Sequence, residues 1–316
     1  MFFYRSPRLF SFRDNYRIIY YHVVSNEKKS YQFSHLSITD FESQIDFFKK
    51  RYKIISLKHA VNRAKKGLSL SNYLSITTDD GFIENFTNIA PILLRKKVTA
   101  TFFLIENCID NQDLMWRNKL LYIINKSDKN IEALVESLAF KFDIKPIKKS
   151  ENILDWAEKY WPMDMKEVLS DFLWEISDLE NLDDFLGKKT PYMSTNQIRV
   201  LLDNGFDIGI HTKSHPFCNK LEFEDLSEEI IESSRRLGLK FNRKVNFASY
   251  PFGVRPSHNL ETKLFTESQI QVFLGINSKV SNSGEPFKWE RDKQDSPHNS
   301  VNWLRFNFLP YLKFLI

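Results

Sequence analysis

Three short segments, far apart in the chain, bring together residue types that can hold a metal ion and move a proton. They are Thr77-Thr78-Asp79-Asp80-Gly81-Phe82, His211-Thr212-Lys213-Ser214-His215-Pro216 and Ser249-Tyr250-Pro251-Phe252-Gly253. One Asp with two His makes a three-ligand set that leaves a transition metal an open position for water. The adjacent Asp is then free to act as a base. These are the parts of a metal-assisted hydrolase.

Each segment has a plainer reading on its own. Asp-Asp-Gly is a common turn sequence. Whether the strand before it persists or turns, one Asp can bind metal while its neighbour faces substrate. A phosphatase of the haloacid type needs two Asp separated by one residue, and that spacing is absent. His211 and His215 stand four apart, the spacing of one helical face, but Pro216 disfavours a helical conformation for His215. A strand end turning into a loop is the expected way to converge them, against the alternative of two surface histidines. Pro251 contributes no N–H, whereas the backbone N–H of Phe252 is available to a developing oxyanion.

The elements that must position these residues follow from the apolar runs before them. Segments 17–24, 53–56, 72–77, 100–105, 206–210, 245–250 and 271–276 read as strands, rich in β-branched and aromatic residues. Between them, helices are expected from Ser37, over 82–96, from Ser194 to Asn204 and over 226–237. Strand and helix in alternation mean a parallel sheet or barrel covered by helices, with active sites at the C-terminal strand ends. Residues 106–190 differ, showing helical periodicity and no convincing strand. We read a single catalytic domain over 1–316 carrying a helical insertion at 106–193, a lid or substrate-side wall.

At 316 residues and 42% hydrophobic composition the chain can bury a sizeable core. A net charge of +5 is spread along the sequence, so no nucleic-acid partner is expected. An anionic lipid surface or a phosphorylated sugar carrier is compatible with that charge. Two Cys cannot form a disulfide framework. With no apolar stretch of signal-peptide or membrane-span length, a cytoplasmic protein is expected. Its tail, 301–316, reads either as packing on the core or as an amphipathic surface helix touching the inner face of the membrane.

The order and content of the three motifs resemble the polysaccharide deacetylases with a NodB-homology domain. Thr-Thr-Asp-Asp-Gly-Phe stands where that family carries Thr-Phe-Asp-Asp-Gly, and His-Thr-Lys-Ser-His is similar to its metal motif. Tyr-Pro-Phe-Gly is similar to the third motif of the branch acting on surface polysaccharides and biofilm N-acetylglucosamine polymers. Ile19-Tyr20-Tyr21-His22 and Ala100-Thr101-Phe102-Phe103-Leu104 extend the likeness over 18–253, interrupted by the insertion.

The resemblance implies a distorted (β/α) barrel of parallel strands wrapped by helices. It implies Asp80, His211 and His215 as metal ligands and Asp79 as general base, with the Phe252 N–H on the oxyanion. The ion is a divalent metal, best matched by Zn2+, with Co2+, Ni2+, Mn2+ or Fe2+ also suited to such ligands. Water activated at the metal attacks an acetamide carbonyl, giving a free amino sugar and acetate. Ser249 occupies the place where the family often carries an Arg that orients the base, and Arg291 is the candidate to supply that guanidinium. The general acid is unassigned, with His22 and His298 each a weak candidate. The implied substrate is an N-acetylated amino sugar of a glycan or of a lipid- or nucleotide-linked precursor. The alternatives are a deformylase or amidase on another small amide, and a non-catalytic glycan-binding barrel.

Overall fold

The computed structural model describes residues 16–149, 151–276 and 288–295. Nine strands are named in chain order: β1 (Arg17–Tyr21), β2 (Lys53–Ile54), β3 (Tyr73–Thr78), β4 (Thr101–Leu104), β5 (Asp207–Ile210), β6 (Phe247–Ser249), β7 (Val272–Gly275), β8 (Lys288–Glu290) and β9 (Asp292–Lys293). They pair in the order β8-β7-β6-β5-β4-β3-β1-β9, with β2 beside β3, and every pairing is parallel.

The two ends of that order are one piece of chain, since only Arg291 separates β8 from β9. On one edge the Arg291 N–H donates to the Gly275 carbonyl at 3.0 Å; on the other the Gln294 N–H donates to the Tyr20 carbonyl at 3.0 Å. The sheet therefore returns on itself as a nearly closed (β/α) barrel, as the sequence led us to expect.

Strand alternation sorts the side chains into two populations. Ile18, Phe103, Phe247, Val272, Leu274 and Trp289 form one apolar cluster with residues of helix Leu57–Lys65. Their neighbours in sequence, such as Ile19, Phe102, Ala248 and Phe273, belong to the larger core shared with the surrounding helices. The first population fills the ring. Gly209 belongs to it because the Phe103 ring occupies its side-chain space: a Cβ there would lie 2.3 Å from a Phe103 ring carbon.

The same parity carried toward the C-terminal strand ends delivers Tyr20 and His22, Thr77 and Asp79, His211, Ser249 and Arg291 to the mouth of the ring. Each of these is buried or half-buried.

Amphipathic helices cover the outside. Helix Ile38–Arg51 starts at Ser37, whose hydroxyl accepts from the Asp40 N–H, and buries Phe41, Ile45 and Phe48. Between β4 and β5 lie helices Trp116–Lys126, Ile131–Lys141, Ile153–Tyr160, Lys166–Ile176 and Leu182–Lys189, with no named strand among the described residues there. Helices Leu57–Lys65 and His258–Glu267 and the closing pair β8 and β9 add to the elements read from sequence. Among the described residues, no helix is long and apolar enough to cross a membrane. The tail 301–316 and His298 lie outside the described residues.

Candidate active site

The β1–β3 ladder runs one residue past β3, with the Asp79 N–H donating to the Tyr21 carbonyl at 2.9 Å. Asp79 thus keeps the inward direction of Thr77. Asp80 then turns, with φ +68°, followed by Gly81 at φ +74°. Left-handed backbone suits Gly and is tolerated by Asp. A Cβ on Gly81 would also crowd Leu104 at 3.1 Å. The turn is pinned from the far side, where the Ile83 N–H donates to the Pro191 carbonyl and the Met193 N–H to the Gly81 carbonyl.

His211 likewise extends β5, its N–H donating to the Leu104 carbonyl at 2.8 Å. Thr212 at φ +65° and His215 at φ +61° then fold the loop back, so His215 is outside the right-handed helical region that Pro216 disfavours. Glu229 grips this loop: its carboxylate accepts from the Lys213 and Ser214 N–H groups, each at 2.8 Å, and from the Ser214 hydroxyl. The buried Lys166 ammonium donates to that same hydroxyl at 2.8 Å.

Asp80 Oδ1 comes to lie 3.4 Å from His211 Nε2 and 3.5 Å from His215 Nε2, and all three side chains are buried. These separations are too long for good hydrogen bonds. His211 Nδ1 lies 2.9 Å from the Ser249 carbonyl, which can only accept, so Nδ1 carries a hydrogen and donates it there while Nε2 faces Asp80. Burial pulls the His215 pKa down to about 4 against the opposing pull of Asp80, so that imidazole is neutral. Asp80 Oδ1 is buried without a hydrogen-bond partner. A carboxylate oxygen and two imidazole nitrogens converging in this way fit a divalent cation.

Beside them, Asp79 and Arg291 form a bidentate pair, Nη1 to Oδ1 at 2.7 Å and Nη2 to Oδ2 at 2.8 Å. Arg291 Nη1 also reaches Thr77 Oγ1 at 3.3 Å, and the guanidinium packs 4.5 Å from the centre of the Tyr20 ring. Burial pushes the Asp79 carboxyl up, but the Arg291 charge and hydrogen bonds, with help from His211 and His22, hold it below the ordinary range. Asp79 is therefore ionised. Ser249 Oγ sits 2.7 Å from His211 Nδ1 and 3.4 Å from Asp79 Oδ1. It joins Asp79 to His211 from the position where the sequence has Ser249 in place of an Arg.

A second dyad faces the same pocket. His22 Nδ1 lies 2.8 Å from Asp295 Oδ2, which also accepts from the His22 backbone N–H at 2.7 Å. Burial lowers the His22 pKa, but Asp295 outweighs it and the net shift is upward. Sequence reasoning named His22 weakly and missed Asp295, which no motif marks. Phe252 stands in the pocket wall with φ +58°, its ring stacked on Phe217 at 4.0 Å and edge-on to His215 at 4.7 Å. The pocket enclosed by these groups has a volume of about 340 Å³.

The polysaccharide deacetylase family model matches residues 69–264, a span that holds Asp79, Asp80, His211, His215 and Phe252. No curated protein sequence matches the chain. Among solved structures, the Streptococcus pyogenes deacetylase PplD is similar with a TM-score of 0.59 at 13% identity, covering 92% of this chain and 97% of that one. IcaB from Ammonifex degensii gives 0.58 at 14% identity, covering 93% and 97%. A de-N-acetylase from Aggregatibacter actinomycetemcomitans gives 0.56 at 15% identity, covering 94% and 100%. At such identities the likeness is one of fold.

Proposed function

The chain belongs to the polysaccharide deacetylase family, and from that premise we propose that it is a metal-dependent hydrolase removing the N-acetyl group from an amino sugar of a glycan or carrier-linked glycan precursor. The observation that carries this reading is the convergence of Asp80, His211 and His215 next to an ionised Asp79 in one pocket. A divalent ion held by those three residues, with zinc the best match, supplies Lewis acidity to the acetamide oxygen and acidifies water there.

The chain's own groups do the rest. Asp79 accepts the proton of the attacking water, its oxygens oriented by the Arg291 fork. The Phe252 N–H is the assigned donor to the oxyanion as water oxygen bonds to the carbonyl carbon. His22, made easier to protonate by Asp295, gives its proton to the amine nitrogen as the C–N bond breaks. Acetate and a free amino sugar leave. Acetate release from N-acetylated oligosaccharides by protein loaded with zinc, cobalt, nickel, manganese or iron tests the proposal. Silence with every ion would sink it and favour the glycan-binding reading.

Two expectations follow for groups around the ligands. His22→Gln should lower kcat by roughly 10²–10⁴, with metal content kept. Its raised pKa means the acid form is lost as pH rises, so the alkaline limb of the wild-type profile should vanish in the variant. An unchanged alkaline limb would remove His22 from the acid role. Glu229→Ala should release the loop between the two His and weaken zinc binding by about 10- to 100-fold, the usual effect of losing an outer support. A chelator-competition titration reads this directly, and unaltered affinity would show that the loop holds its shape alone.

A further inference from the structure

One cation on the pocket wall has no part in the chemistry above. Arg117 lies in the first turn of helix Trp116–Lys126, and its side chain lines the pocket between Phe33 and Phe252. The guanidinium carbon is 4.5 Å from the Phe33 ring centre and 5.0 Å from that of Phe252. Phe252 in turn meets His215 at 4.7 Å, so the charge stands one aromatic ring away from a candidate metal ligand. Its carboxylate partner, Glu158 of helix Ile153–Tyr160, is not part of the pocket lining. Arg117 Nε is buried without a hydrogen-bond partner.

The charges around the pocket are unequal. Asp79 and Asp80 are the only acids among its described lining residues. Arg291 neutralises the first, and the second belongs to the candidate cation site. Arg117 adds a further positive charge to the lining, its Glu158 partner lying outside it, while Lys293 has the Asp295 carboxylate 3.8 Å away. The hydroxyl and carbonyl oxygens of a neutral acetamido sugar can accept single hydrogen bonds from a guanidinium, but the planar fork of Arg117, set between two rings, is matched better by phosphate or carboxylate oxygens. A volume of about 340 Å³ is near the small end for ligand pockets, suited to one acetamido sugar and a compact substituent.

Building on the deacetylase reading, we propose that the substrate carries an oxyanion, a phosphate or a carboxylate, on or next to the acetamido sugar, and that Arg117 recognises it. The test is equilibrium binding of three probes to the full chain: methyl N-acetylglucosaminide, N-acetylglucosamine 1-phosphate and N-acetylmuramic acid. It is run on zinc-loaded and on chelator-stripped protein, which separates binding by Arg117 from binding by zinc. Wild type should prefer at least one charged probe over the methyl glycoside by roughly tenfold or more, the worth of a charge-assisted hydrogen bond. Whichever charged probe is preferred identifies the anion.

In Arg117→Gln that preference should disappear, while Arg117→Lys, which keeps the charge but not the fork, should retain part of it. Equal or absent affinity for all probes in wild type overturns the proposal. So does a preference that survives in Arg117→Gln or depends on zinc. If Arg117→Gln fails to fold, Arg117→Lys decides: a reduced preference supports the proposal, and a preference equal to wild type overturns it. Acetate release is followed on the same probes. A charge preference without acetate from any of them would sink the deacetylase reading and leave the anion site standing; acetate released equally from all would do the reverse.

Discussion

Alanine at both His211 and His215 is expected to take the protein from about one bound ion per chain to none, and to lower acetate release by at least roughly 10⁴-fold, the several kcal/mol that a Lewis acid contributes to such a transition state. The size of the effect follows from geometry. Asp80 Oδ1 has the two imidazole nitrogens at 3.4 and 3.5 Å and no hydrogen-bond partner, so a single remaining carboxylate cannot hold a transition metal alone. The support around the ligands should survive, because Glu229 grips the loop through Lys213 and Ser214 rather than through either imidazole. Elemental analysis of wild type and variant, run beside the acetate assay, reads both losses. Wild type that takes up no ion, and stays silent after reconstitution, would leave the three residues as a buried polar cluster.

The candidate metal ligands were legible because their chemistry is local. Asp79-Asp80-Gly81 and His211 to His215 each carry their residue types in one short stretch, and each follows a strand whose apolar run is plain in sequence. The strands β1, β3, β4, β5, β6 and β7 were legible for the same reason: buried on both faces, they read as continuous apolar runs.

The closing pair was not legible, because Lys288–Glu290 and Asp292–Lys293 are charged. Their polar groups are matched at long range, Glu290 by Arg255 and Asp292 by Arg17. Their strand character comes from having an edge of the barrel on each side. That closure also sets Arg291 against Asp79 and Asp295 against His22, pairings with sequence separations of 212 and 273 residues. Arg291 could be suggested because the chain lacks an Arg at position 249; Asp295 had no such gap to point to it.

Because Arg291 comes from the closing strand, its loss should touch fold and chemistry together. In Arg291→Met an apolar side chain replaces the guanidinium beside Tyr20, and Asp79 is left as a buried charge without its partner. Breaking such a pair by removing one member costs about 3–5 kcal/mol. The sign with pH distinguishes this from a simple packing defect. In wild type the folded-state pKa of Asp79 is lowered. Its contribution to stability is present above the unfolded pKa and is lost as pH falls through the folded one. Without Arg291, burial dominates and raises the carboxyl instead. The unpaired charge then disfavours folding above that raised pKa, and protonation relieves it as the pH drops. The deficit relative to wild type should therefore be largest near neutral pH and shrink toward acid, which denaturant melts at several pH values can follow.

The same reversal acts on the reaction. A base with a raised pKa is protonated over a wider range, so the acid limb of kcat/KM should move to higher pH. Asp79→Asn added to Arg291→Met should recover part of the lost stability by removing the unpaired charge, yet recover none of the activity. An acid limb that stays in place in Arg291→Met would mean that Asp79 is not the base, whatever happens to stability. A stability deficit that is flat with pH and unrelieved by Asp79→Asn would mean that Arg291 holds the barrel closed through packing alone.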